Sequence, residues 1–185
     1  NLKQWQKLSS FGEGIGNHKG VWECPDLFQL PVQGMQHKKW VLLVSINPGG
    51  PNGGSATQYF IGDFDGDRFI IDPAFADRMN NEHSFWIDFG RDNYAGVTYN
   101  NIETEKGERL LQGWMSNWQY ASKVPTSSWR SAMTLIRKIS LVPDNGSYNL
   151  VTSLYIPSKK TSKKTIQNQK ITNTSATLIS DKEVP

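Results

Sequence analysis

The segment Gly20-Val21-Trp22-Glu23-Cys24-Pro25-Asp26-Leu27-Phe28 holds a carboxyl between an indole and a Cys-Pro pair. If this stretch is buried, little water reaches Glu23, and desolvation disfavours the charged carboxylate. A carboxyl that keeps its proton near neutrality is what a general acid needs to protonate a departing oxygen. The local sequence leaves a second reading open, because a lone glutamate beside a proline also suits a strand end or the surface. Other polar and aromatic residues that could line a cleft stand in similar short clusters. Asn47 opens an Asn-Pro-Gly-Gly-Pro-Asn-Gly-Gly run and reads equally well as a turn former. Asp88 and Tyr94, in Asp88-Phe-Gly-Arg-Asp-Asn-Tyr-Ala95, could face a ligand, or could cap and pack a turn; Arg91 and Asp92 read as solvated. Trp114, Ser116 and Trp118 share one face if their strand stays regular, and a bulge would reverse that. No metal centre is expected, since His18, His37 and His83 are scattered and Cys24 is the only cysteine.

Short strands must position these side chains. Runs rich in β-branched and aromatic residues recur at Lys39–Ile46, Gln58–Phe64, Phe69–Ile71, Ala95–Tyr99, Arg109–Met115 and Ser131–Leu141, separated by Gly, Pro, Asn and Asp clusters. The spacing predicts antiparallel hairpins and no helix longer than two turns. Trp40–Phe69 and Asp88–Leu141 each read as one four-stranded unit, and a repeat of about 45–50 residues in an all-β chain favours a propeller over a sandwich or barrel. After Pro143 the composition turns polar, which places a domain boundary at residue 142 and a linker, flexible tail or start of a β-sandwich at 143–185.

Seven Trp, six Tyr and eight Phe among 185 residues supply the large apolar faces of cores and sugar clefts. The net charge of +3 is uneven: six lysines against Asp181 and Glu183 give residues 157–185 a local +4 and leave the body near −1. A nucleic-acid face on the folded part is therefore not expected, and the lysine tail reads as a solvated linker, with a polyanion-binding arm as the alternative. No apolar run approaches the ~18 residues of a membrane span. The chain starts at Asn1 without a methionine, and it carries two glycosylation sequons, at Asn145 and Asn173.

Trp22-Glu23-Cys24-Pro25-Asp26-Leu27-Phe28 resembles the Glu-Cys signature of glycoside hydrolase family 32, the family of invertases, levanases and inulinases. The resemblance implies that Glu23 is the general acid/base, with Cys24 and Pro25 shaping its setting; the cysteine is not a nucleophile. Ser45-Ile-Asn-Pro-Gly49 and Gln58-Tyr-Phe-Ile-Gly62 look like the hairpin that follows the acid/base strand, which puts Asn47 at a sugar-facing position. Asp88-Phe-Gly-Arg-Asp-Asn-Tyr-Ala95 is similar to the family's Asp-x-Gly-x-x-x-Tyr-Ala segment, and Asp88 is then a cleft residue. Gly113-Trp-Met-Ser-Asn-Trp-Gln-Tyr120 resembles a Trp-x-Ser-Asn-Trp stretch in which Trp118 matches an aromatic stacked on the fructosyl ring, while Trp114 reads as packed. Pro125–Lys138 is similar to the family's closing strand. The implied fold is about the last two blades of a five-bladed propeller.

The resemblance covers residues 1–141 and has a conspicuous gap. The family uses a retaining pair, an aspartate nucleophile in an Asn-Asp-Pro-Asn-Gly setting and the later glutamate, with an Arg-Asp-Pro triplet stabilising the transition state. Neither motif occurs; Arg91-Asp92 is followed by Asn. Retaining chemistry needs two carboxyls about 5–5.5 Å apart. The expectation is a fragment that cleaves terminal fructofuranosides (sucrose, inulin or levan) only as part of its parent, pairing with the remaining polypeptide or a complementary chain. A non-catalytic carbohydrate-binding or pseudo-enzyme module is the rival reading. The resemblance implies a fructose-containing saccharide as partner, no cofactor, and action outside the cell.

Overall fold

The computed structural model describes residues 2–79, 84–102 and 107–156. His83, the sequon at Asn173 and the lysine-rich tail lie outside them. The chain divides into two units, residues 1–155 and 156–185, and the fold described is that of the first.

Strands β1 (Val21–Pro31), β2 (Lys38–Asn47), β3 (Ala56–Phe64) and β4 (Phe69–Ile71) form one antiparallel sheet in chain order. A one-turn helix, α1 (Pro73–Ala76), follows; the Asp72 carboxylate accepts the Phe75 N–H at 3.2 Å, and Pro73 loses nothing at the first helical position. Strands β5 (Tyr94–Thr98), β6 (Arg109–Trp114), β7 (Arg137–Asp144) and β8 (Ser147–Leu154) form a second antiparallel sheet, again in chain order. The all-β expectation holds, and no described helix exceeds the four residues of α1.

One apolar cluster joins the two sheets. Phe28, Leu30, Val41, Leu43, Tyr59 and Ile61 of the first sheet meet Leu111, Ile139 and Leu141 of the second, with Phe75 and Phe85 between them. β3 is buried along Ala56–Gly62, on both faces, because the segment before β1 covers its far side. There the fully buried Phe60 packs edge-on against Phe11, ring centres 5.1 Å apart, and tilted against Trp22 at 5.4 Å. Beyond the short β4, residues 85–87 pair with β3 instead, through Tyr59 N–H to Phe85 O at 2.9 Å and Ile87 N–H to Thr57 O at 3.0 Å.

Three expected boundaries are corrected. The first four-stranded unit starts at Val21, not Trp40, since the strand carrying Glu23 is the sheet's edge member. The segment 131–136 is not strand; Met133 makes a single bridge to Trp114, and the Thr134 hydroxyl accepts the Gly113 N–H at 2.9 Å in place of a ladder carbonyl. The second sheet does not end at residue 142: β7 runs on to Asp144, Asn145 (φ 45°) and Gly146 (φ 81°) make a two-residue turn, and β8 returns along β7 as far as Leu154. Pro143 fits because β6 pairs only with Arg137–Ile139, so no β6 partner lies beside the proline.

Candidate active site

The two edge strands β1 and β5 each carry an extra residue at the same level. On β1 the pairing steps from Glu23 opposite Ser45 to Asp26 opposite Leu43, with Cys24 in the left-handed region at φ 49°. On β5 it steps from Tyr94 opposite Trp114 to Val97 opposite Gln112, with Ala95 at φ 51°. A bulge of this kind bends the strand and re-aims the side chain beside it. Here the two re-aimed side chains meet: the Tyr94 hydroxyl donates to the Glu23 carboxylate. Three residues on, the Asp26 carboxylate accepts both the Thr98 N–H and the Thr98 hydroxyl at 2.7 Å, locking β1 to β5 below the bulges.

Glu23 is exposed, as is Cys24. The dry pocket expected around the carboxyl is therefore not formed by the described residues; β1 is an edge strand, and Glu23 lies on its exposed part. Position 23 is still tied to residue 118 through a succession of rings. Tyr94, 4% exposed, lies 6.3 Å from Trp114, and Trp114 lies 5.1 Å from Trp118 at an interplanar angle of 55°. Burial pushes the Tyr94 phenol far above its ordinary value, and the hydrogen bond to Glu23 and that residue's charge push it further. Tyr94 thus remains a hydrogen donor across any working pH. Upstream, Trp22 is fixed by its indole N–H on Asn17 O at 2.6 Å and by His18 stacked on it at 4.5 Å.

Asn47 ends β2 and accepts the Ser55 hydroxyl on Oδ1 at 3.1 Å. Its chain neighbourhood is tight: a Cβ on Gly20 would sit 1.9 Å from Pro48 O, so only glycine lets the segment entering β1 pass the Asn47-Pro48 turn. Trp118 is 56% exposed, and its backbone N–H donates to Ser55 Oγ at 3.1 Å. β6 has ended by Trp114, so the alternation expected for Trp114, Ser116 and Trp118 does not apply; Ser116 and Asn117 are buried and Trp118 projects from the turn after them. Trp114, half-buried, packs as expected.

Asp88 makes contacts within its own chain. Its carboxylate accepts the Gly90 N–H at 2.6 Å and pairs with Arg137 at 2.6 Å, an ion pair that anchors the turn leading to Tyr94. The structure brings Asn47 and Trp118 together through Ser55, and Glu23 to Trp118 through Tyr94 and Trp114; it leaves Asp88 occupied by its own chain. Tyr94 and Asn117 are the contributors that the sequence undervalued. A tyrosine followed by a small residue and a glycine, Tyr94-Ala95-Gly96, was the available signal for the bulge. Among the described residues no group of three or more His, Cys, Asp or Glu side chains is gathered for a metal.

The model of the Glycosyl hydrolases family 32 N-terminal domain matches residues 1–153. The chain belongs to glycoside hydrolase family 32. It is 51% identical over 146 residues to the levanase of Bacillus subtilis, covering 76% of this chain and 20% of that protein. It is 44% identical over 155 residues to an extracellular exo-inulinase of Aspergillus niger, covering 82% of this chain and 28% of the relative. Among solved structures, the exo-inulinase of Aspergillus awamori superposes with a TM-score of 0.74 at 40% identity, over 83% of this chain and 29% of that one. The fructofuranosidase of Schwanniomyces occidentalis complexed with fructose gives 0.70 at 37% identity, over 85% of this chain and 30% of that one. The chain thus spans less than a third of these family 32 relatives, and its two sheets correspond to part of their β-propellers.

Proposed function

We propose that these residues supply the acid/base half of a retaining β-fructofuranosidase site that acts on a sugar such as sucrose, inulin or levan. The observation that carries this reading is the meeting of Glu23 and Tyr94 at paired bulges, one ring contact away from Trp114 and two from the exposed Trp118. Glu23 protonates the leaving-group oxygen, then takes a proton from the water that releases fructose. The Tyr94 hydroxyl orients the carboxyl. Trp118 offers an indole face to the apolar side of the fructosyl ring, and Asn47 and the rim at Cys24 complete the near wall. Asp88 serves the sugar through the turn that it holds.

The second carboxylate of the pair comes from the part of the propeller that this chain does not contain, and the 185 residues alone are inactive. The two sheets are about the last two of five blades, and the residues beyond 155 lead toward a linker or C-terminal β-sandwich. Relatives named as extracellular support action outside the cell.

The test is Glu23→Gln in the full-length protein. On a natural fructoside, kcat falls by roughly 10²–10⁴-fold. On a fructoside with an activated aryloxy leaving group, which departs without a proton, the first half-reaction is largely kept. Because the second half-reaction is common to both substrates and also needs Glu23, the comparison is made on kcat/KM, and an equal loss of kcat/KM on both contradicts the acid/base role. The rival reading, a sugar-binding module without turnover, draws on the exposure of both Trp118 and Glu23; fructan binding by a full-length protein that never releases fructose would favour it.

A further inference from the structure

Asn117 is wholly buried, yet it lies between three surface loops and bonds to all of them. Its Nδ2 donates to Arg91 O at 2.7 Å, to Ser55 O at 3.3 Å and to Gly53 O at 3.5 Å. Its Oδ1 accepts the N–H of Gln119 at 2.9 Å and that of Ser55 at 3.3 Å. Its own carbonyl accepts the N–H groups of Tyr120 at 3.1 Å and Ala121 at 2.9 Å, which closes the turn carrying Trp118. One side-chain amide thus joins the glycine-rich loop after β2, the loop before β5 and the loop after β6. A buried group with this many partners fixes the relative placement of what it joins, because leaving any partner unpaired inside the protein is costly.

The consequence falls on Trp118. Ser55, held on both its N–H and its carbonyl by Asn117, presents its hydroxyl to the Trp118 N–H at 3.1 Å and to Asn47 Oδ1 at 3.1 Å. The exposed indole packs on Trp114, and the backbone that carries it is held by Ser55 and by the turn that Asn117 closes, so Asn117 and Ser55 bear on where the indole sits. The loop is shaped for this hub: a Cβ on Gly54 (φ +69°) would meet Asn117 Oδ1 at 2.2 Å.

We infer that Asn117 is a positioning residue for sugar binding, which sets the Trp118 indole through Ser55 and the turn it closes, while itself touching no sugar. This inference rests on Trp118 being the sugar platform. Asn117 acts equally before and at the transition state, through a ground-state contact, so its loss raises KM and leaves kcat nearly unchanged.

The experiment measures kcat and KM for a fructoside in the full-length protein bearing Asn117→Ala, Trp118→Ala, both, and Ser55→Ala. The expected result for Asn117→Ala is a rise in KM on the order of tenfold, equivalent to about 1.4 kcal/mol. Ser55→Ala, which removes two hydrogen bonds and little else, raises KM in the same sense by a few fold and stands in if Asn117→Ala does not fold. In the double variant, Asn117→Ala adds less than about twofold to the effect of Trp118→Ala, because the two act through one contact. Loss of folded protein lowers apparent kcat and leaves KM alone, so a purely structural role cannot mimic this outcome. Unchanged KM in Asn117→Ala and Ser55→Ala, or fully multiplicative effects in the double variant, overturns the inference. Failure of the underlying reading looks different: Trp118→Ala itself then leaves KM unaltered, or the unmodified protein cleaves no fructoside.

Discussion

Replacing Tyr94 by phenylalanine removes one oxygen from the centre of the proposed machinery and almost nothing else. The ring is 4% exposed and packed toward Trp114, so Phe fills the same space without creating a cavity. The group that loses its partner, the Glu23 carboxyl, is exposed, so water takes over the vacated hydrogen bond and no buried polar atom is orphaned. A hydrogen bond to a charged group contributes about 1.5–3 kcal/mol, and exposure of the acceptor sets the expected loss at or below the lower end, ~1 kcal/mol. If that interaction aligns the carboxyl for proton transfer, kcat/KM falls about fivefold, with each 1.36 kcal/mol being a factor of ten. The melting temperature should move by only a few degrees, on the order of 2–4 °C or less. Steady-state release of reducing sugar by the full-length protein, with thermal melts on the same preparations, reads both quantities. Unaltered kcat/KM would show that the contact does not orient Glu23. A loss beyond about a hundredfold with an intact melt would refute the reasoning from the other side, since Tyr94 would then be handling a proton itself.

Gly54→Ala is expected to lower the melting temperature and raise KM together, because the new methyl collides with Asn117 Oδ1 and the residue sits at φ +69°, at a cost of about 1–3 kcal/mol for the backbone alone. Calorimetry alongside substrate titration checks this, and a neutral variant would mean that the loop shifts freely around Asn117. The phenols of Tyr94 and Tyr59 are both pushed upward, chiefly by burial. A raised folded-state value gives stability that is complete below the unfolded tyrosine value of about 10 and drains away as pH climbs toward the folded one. Melts at pH 9, 10 and 11 should therefore fall with pH, and less steeply in Tyr94→Phe; parallel slopes for variant and parent contradict the assignment.

The central strands could be read from composition alone. β2 and β3 are dense in Val, Ile, Leu and aromatics, since both of their faces are covered. The edge strand β1 was not legible as a strand in its own right: Val21-Trp-Glu-Cys-Pro-Asp alternates poorly, because a bulge slips its register between Glu23 and Asp26. β8 was lost for a different reason. Pro143 reads as a terminator, yet it falls where β7 has no β6 neighbour, and the Asn145-Gly146 pair behind it was the hairpin signal that outweighs it. The motif around Glu23 was legible by resemblance, whereas the exposure of its carboxyl was not, because burial there is decided by what faces an edge strand. Asp88 shows the converse: its motif suggested a cleft, and nothing local announced that Arg137, 49 positions along the chain, would hold the carboxylate at 2.6 Å.

The paired bulges explain why a repeated architecture can build an unrepeated site. Both sheets use the same device, one extra residue in the left-handed region at the second position of the edge strand's irregular step. Had both strands stayed regular, side chains at 23 and 94 would follow the ordinary alternation, and the backbone twist would carry them apart. The bulges instead turn an acid and a phenol toward each other, while Asp26 on Thr98 fixes the distance between the strands just below. Asp26→Asn should then loosen Glu23 without touching it: the amide can still accept the Thr98 N–H and hydroxyl on its oxygen, but a charge-assisted pair becomes a neutral one, roughly half as strong. A small drop in kcat with unchanged KM is the signature of a carboxyl held less firmly in the transition state. A change confined to KM would place the weakness at the sugar platform and separate the two halves of the site.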